Sequence, residues 1–280
     1  MYIGHEGPTI KMKRVRIDVD GTALLSSALS SGKEFGDFVD DFMGSMPVCA
    51  PQYWGYTEPI NRPMDMEQIR SELDRDTSIL WKRKVVPRGW GVVEKRISPR
   101  GRAAKHAYHA LYLAADMDDH VEALLQYLKH VALRWGVDYA CCESPSLGYR
   151  DAARENGLAT SNANFFVFTH TIARYLPDIL WAQIFGPPYI ALFGLEKLLS
   201  APAYKVEVLS DDAVYIQLTK SLFDVHDDAD MVREIRSSVR SHLDNNIFFD
   251  PKAGRPRIPH AALLMPRKRV EYVAARTALR

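Results

Sequence analysis

Several groups of residues in this chain have the types that chemistry needs. His106-x-x-His109 offers two imidazoles. Metal ligation requires convergent nitrogens. The stretch His106–Ala114 alternates like a strand, which puts i and i+3 on opposite faces, so the expectation is two ordinary sheet histidines. Asp224-Val225-His226-Asp227-Asp228-Ala229-Asp230 could hold Mg²⁺ or Ca²⁺ through oxygens. It lacks the glycine of a calcium loop, and Glu234 falls at position 11 rather than 12 counted from Asp224. An acidic segment that complements the positive end of the following helix is the simpler reading. Asp116-Met117-Asp118-Asp119 reads the same way. Cys141-Cys142-Glu143 could be a thiol site, but it ends an apolar strand, where buried cysteine is commoner.

The densest signal is cationic. Lys82, Arg83, Lys84, Arg88, Lys95, Arg96, Arg100, Arg102 and Lys105 fall within 24 residues, with Glu94 the single acid and Trp81 and Trp90 interleaved. Such a hairpin can grip a phosphate backbone and stack bases, or steer an acidic protein partner. A second aromatic segment, Tyr53-Trp54-Gly55-Tyr56, carries residue types enriched in binding hot spots, with packing against the first helix as the alternative. Gly-x-Ser-x-Gly, the P-loop, Gly-x-Gly-x-x-Gly and His-Glu-x-x-His are all missing from the sequence. No catalytic residue, metal or cofactor is therefore expected.

The elements that must position these residues can be read from periodicity. Ile10–Asp18 alternates as a strand that Asp18-Val19-Asp20-Gly21 closes with a turn. Ser31-x-x-Glu34 is a capping box, followed by Phe35, Phe38, Val39, Phe42 and Met46 at helical spacing and stopped by Pro47. Pro51–Pro63 reads as a loop, and Asp65-x-x-Gln68 starts a short helix. Ile79–Val86 and Trp90–Ile97 form a hairpin around Pro87-Arg88-Gly89. Asp116–Asp119 caps an amphipathic helix that ends at Gly136, and Val137–Cys142 is the next strand. Phe165–Phe168 and Ile179–Phe185 look like strands. Pro187-Pro188 opens a helix to Leu199 broken at Gly194. Tyr204–Leu209 and Ala213–Leu218 form a second hairpin. Asp228 or Asp230 caps the last helix, with Val232, Ile235, Val239 and Leu243 on its apolar stripe.

This order predicts an α+β fold, helices on a mostly antiparallel sheet. We expect one domain over residues 1–250, with weak halves at 1–143 and 165–250, and a basic, proline-containing tail over 251–280. Lys+Arg is 36 against 35 Asp+Glu, which argues against a wholesale polyanion binder. The three cysteines fit neither a disulfide framework nor a zinc site. The start of the chain lacks a secretory signal, and the longest uncharged apolar run, Ile179–Leu195, is broken by Gly186, Pro187, Pro188 and Gly194. The expectation is a cytoplasmic protein with no membrane contact. Nothing in the sequence speaks to its oligomeric state.

Tyr53-Trp54-Gly55-Tyr56, then Ile179–Gly194 with its strand running into Gly186-Pro187-Pro188, then Leu198-Leu199-Ser200-Ala201-Pro202-Ala203 before a strand pair, resemble bacterial immunity proteins of polymorphic toxin systems, and among them immunity protein family 52. The resemblance covers the middle and second half of the chain. It implies a non-enzymatic inhibitor that binds a cognate protein toxin in the cytoplasm. The anchors expected for such a partner are Trp54, Tyr56, Arg88 and Trp90, with Lys82, Arg83 and Lys84 steering encounter. The alternative is a metal-dependent nuclease or nucleic-acid-binding protein, with both acidic segments as ligands and the basic hairpin as platform.

Overall fold

The computed structural model describes residues 16–29, 31–72, 78–95, 106–144, 167–172 and 176–248. Its strands are β1 (Ile17–Leu25), β2 (Tyr53–Gly55), β3 (Arg62–Pro63), β4 (Ser78–Arg83), β5 (Arg88–Glu94), β6 (Tyr108–Ala115), β7 (Val137–Glu143), β8 (Ala182–Phe185), β9 (Lys205–Ser210) and β10 (Ala213–Gln217). The helices are α1 (Gly32–Ser45), α2 (Met66–Glu72), α3 (Asp118–Trp135), α4 (Thr169–Ile172), α5 (Pro187–Phe193), α6 (Leu195–Leu199), α7 (Asp224–Asp227) and α8 (Ala229–Leu243). The strands build one sheet in the order β3-β2-β4-β5-β6-β1-β7-β8-β10-β9, and every strand pair in it is antiparallel. The fold is α+β, as the sequence pattern predicts.

β1 lies at the middle of the sheet and runs through the stretch expected to be a turn. Its two faces are both covered: Ile17, Val19, Ala23 and Leu25 are buried on one, and Asp20, Thr22 and Leu24 are buried on the other, which Asp18 shares. Asp18 accepts a hydrogen bond from the Tyr112 hydroxyl, 2.7 Å away on β6. Residues 10–15, the start of the expected strand, lie outside the described residues.

Local signals elsewhere formed what they encode. Ser31 and Glu34 cap α1 reciprocally, which satisfies two backbone donors that the first turn leaves unpaired. The Asp65 carboxylate accepts from the amide of Gln68 at the start of α2. The β4–β5 hairpin forms, with its turn one step earlier than expected: residues 84–87 connect the strands, and Arg88 and Gly89 already belong to β5. α3 ends at Gly136, whose φ of 69° is the left-handed conformation that glycine adopts without a Cβ clash. Its start differs from expectation: Met117 is the N-cap and no side chain caps it, while Asp118 and Asp119 sit in the first turn. Pro51–Pro63 contains two short strands rather than loop alone. Ile179–Trp181 precedes β8 instead of belonging to it, because the Trp181 amide donates to the Glu143 carboxylate. Val167 and Phe168 are not in a strand, and Phe165 and Phe166 lie outside the described residues, as does the tail. Among the described residues, no helix is long and apolar enough to cross a membrane.

Helices cover both faces of the sheet. On the first face, Trp81, Val93, His109, Leu111 and Ala23 are buried with Phe35, Phe38 and Phe42 of α1 and Leu124 and Tyr127 of α3. On the second face, toward β8 and β10, Tyr139 and Phe185 meet Tyr189 and Phe193 of α5. Phe193 also stacks on Phe248 with ring centroids 6.4 Å apart. Phe193→Ala is therefore expected to destabilise the fold by about 3 kcal/mol, the low end for a buried phenylalanine because the ring keeps 8% exposure. Urea denaturation checks this; a loss under about 1 kcal/mol would mean that the ring contributes little to the core.

Candidate functional site

Which face a strand residue occupies follows from register alone. Tyr53 pairs with Lys82, Lys82 with Trp90, and Trp90 with Tyr112. These four make one row across β2, β4, β5 and β6. Trp81 belongs to the opposite face, where its ring packs on that of Phe42 of α1 with centroids 5.2 Å apart, so the row lies on the face turned away from α1. Arg88 is two residues before Trp90 on β5 and shares that face. Lys84 follows Lys82 and places its ammonium 4.2 Å from the centre of the Tyr53 ring. The indole of Trp90 and the phenol of Tyr112 lie 6.2 Å apart and tilted by 32°.

The row is both polar-tipped and partly open. Trp90 and Tyr112 are half-buried, while Lys82, Lys84 and Arg88 are exposed. Lys82 and Arg88 make no ion pair among the described residues. Tyr112 donates to Asp18, and burial together with that carboxylate pushes its hydroxyl up to about 12, so it stays a neutral donor. Cations beside flat aromatic faces suit recognition of carboxylates and of apolar side chains at once.

The structure separates the seven residues expected from sequence. Lys82, Lys84, Arg88 and Trp90 come together on this face. Trp54 does not. It pairs with Trp81 on the opposite face and is fully buried, so it is a core residue and not a surface anchor. Arg83 also points away from the row, and its guanidinium donates to the Ala50 carbonyl at 3.0 Å. Tyr56 stands apart at the sheet edge, half-buried, donating to Glu72 at 3.1 Å. There Arg62 lies 5.1 Å from the Trp54 ring centre and 5.5 Å from that of Tyr56, and pairs with Glu72 at 2.9 Å. Of the remaining basic cluster, Lys95 is buried with its ammonium 5.7 Å from the Phe35 ring centre. Arg96, Arg100, Arg102 and Lys105 lie outside the described residues. Sequence reasoning missed Tyr53 and Tyr112. Strand alternation held the signal for Tyr112; Tyr53 sat in a segment read as loop.

The other candidate groups resolve into structural contacts. Of the pair, only His109 is a sheet histidine, bonding Trp81 and Tyr127 on one face; His106 precedes β6 and bonds Asp138 and Thr169, both at 2.9 Å. The two imidazoles do not converge. The acidic segments do meet, at Ser221. Its hydroxyl donates to Asp118 at 2.6 Å, and its amide donates to Asp224 at 3.3 Å. Asp228 caps α8 by accepting from the Met231 amide, and Asp230 pairs with Arg233. Among the described residues no three acidic, histidine or cysteine side chains gather as a metal site would require. Burial, reinforced by Glu143, pushes the thiols of Cys141 and Cys142 up, which disfavours the reactive thiolate.

No protein family matches the sequence, and no curated protein does. Among solved structures, the chain is similar to a Pseudomonas aeruginosa T6SS protein, PA0821, at 15% identity and a TM-score of 0.49, over 95% of this chain and 84% of that one. That likeness is too distant to bear on function.

Proposed function

We propose that this protein is a non-catalytic immunity protein that neutralises a cognate bacterial toxin in the cytoplasm by binding it. The observation that supports this reading is the aromatic and cationic row Tyr53–Lys82–Trp90–Tyr112 with Lys84 and Arg88 beside it. Tight inhibition needs a rigid surface with a few large anchors and no chemistry. Here the anchors stand on a paired strand hairpin, so little conformational entropy is lost on docking. Trp90 and Arg88 are of the types that dominate binding energy, and lysines at the rim act mainly on encounter.

The test is co-expression with a toxin domain encoded beside the gene. Survival should depend on this protein and on a complex that co-purifies. Trp90→Ala and Arg88→Ala should each weaken the complex by about thirtyfold, the equivalent of roughly 2 kcal/mol. Lys82→Ala and Lys84→Ala should instead slow association and flatten its salt dependence, leaving dissociation nearly unchanged. Death of cells holding folded protein, or protection without a complex, would exclude the inhibitor reading. Binding that persists unchanged in the Trp90 and Arg88 variants would move the interface elsewhere on the protein.

A further inference from the structure

The two edges of the sheet are unlike. One is β3, two residues long and containing Pro63, a short edge of the kind that resists strand addition. The other is β9, six residues without proline, whose strand neighbour among the described residues is β10 alone. Two of the exposed large apolar side chains lie here, Val208 at 51% within the strand and Tyr204 at 55% immediately before it. Tyr204, Val206 and Val208 share one face of this strand by alternation, and Lys205 and Glu207 occupy the other.

We propose that two copies of this chain associate edge to edge through β9, antiparallel, with Val206 opposite Val206 of the second copy. In that register Tyr204 faces Val208 of the second copy and Lys205 faces its Glu207, twice by symmetry. The exposed apolar pair is covered and the charges are complementary. Slipping by two residues one way sets Glu207 against Glu207; slipping the other way sets Lys205 against Lys205. A one-residue slip opposes the charged face of one copy to the apolar face of the other. The charges that make this edge inhospitable to unlike strands thus select one self-pairing. Glu207 is already held in place by Lys129 at 2.7 Å and Lys205 at 3.2 Å, so its carboxylate is ordered before association. The contact is small, and the association is therefore reversible and concentration-dependent. This inference is independent of the toxin-binding reading, since β9 lies at the far edge of the sheet from the Trp90 row.

Sedimentation of the full chain from micromolar to hundreds of micromolar concentration is the test, joined to one charge variant and one cross-link. The wild-type protein should shift to twice the chain mass as concentration rises. Lys205→Glu, a change at a half-exposed side chain, should remove that shift by setting two glutamates against each other. Val206→Cys should form an intermolecular disulfide under mild oxidation, because each cysteine meets its own copy, whereas Val208→Cys should not. A single-chain mass at every concentration overturns the proposal. So does a dimer that Lys205→Glu leaves intact and that Val206→Cys does not cross-link, which would place the contact on another surface.

Discussion

Gly186→Ala should cost about 4 kcal/mol or more, a loss that requires a specific physical cause, here a backbone clash. A Cβ at this position would stand 1.8 Å from the Val137 carbonyl oxygen, 2.8 Å from its carbon and 2.9 Å from the Asp138 Cα. All three are backbone atoms of β7, which is paired on both sides within the sheet. No rotamer change relieves such a clash. The backbone dihedrals of Gly186, φ −86° and ψ −170°, are open to any residue, so close approach and not conformation demands glycine here. Its amide donates to the Asp138 carbonyl at 3.0 Å, and Pro187 begins α5 directly after it. Shifting this residue would move both β8 and α5, and with them the Tyr189 and Phe193 rings. Gly44→Ala is the control: nothing lies within 4 Å of the new Cβ, the site is exposed in α1, and alanine should stabilise by up to about 1 kcal/mol. Urea midpoints of both variants decide it. A Gly186→Ala protein as stable as wild type would show that β7 can yield at this junction.

The features legible in the sequence are those whose partners lie close along the chain. The capping box of Ser31 and Glu34, the β4–β5 hairpin and the Gly136 cap each span a few residues, so local chemistry determines them. β1 was illegible because its two neighbours, β6 and β7, lie about a hundred residues away, and only their pairing shows why Asp18 and Asp20 sit in a strand. The candidate site divides the same way. Alternation separates Trp81 from Trp90 on the hairpin, but not which of the two is covered. That depends on which face α1 packs against, a tertiary fact. Trp54 was misplaced for this reason: a tryptophan beside Gly and Pro looks like a loop anchor until its pairing with Trp81 turns it toward the core. Tyr53 gains its role from the same pairing, through Lys82.

His109 supplies the second large effect, and it is one of pH. The Trp81 indole N–H can only donate, so His109 Nε2, 2.9 Å away, must accept. The proton of the neutral ring then sits on Nδ1, facing the Tyr127 hydroxyl. The ring is fully buried among Phe38, Phe42, Trp81 and Tyr127. Burial pushes its pKa from 6.5 down to about 3. Above the unfolded value both states are neutral, and the stabilisation is fully present. As pH falls below it, the unfolded chain takes up a proton that the native protein refuses, and stability drops until the folded value is reached. From pH 7 to pH 4 that is a loss of about 3 kcal/mol, and by pH 3 about 4 kcal/mol. His109→Gln keeps an acceptor for Trp81 and removes the titration. It should be less stable than wild type at pH 7, and the gap should narrow by about 3 kcal/mol by pH 4. Carboxylates titrating over the same range are common to both proteins, so the change in the gap isolates the histidine. Urea titrations at each pH that gave parallel curves for the two proteins would mean that His109 takes its proton inside the fold, and that the Trp81–His109–Tyr127 chain opens without breaking the core around it.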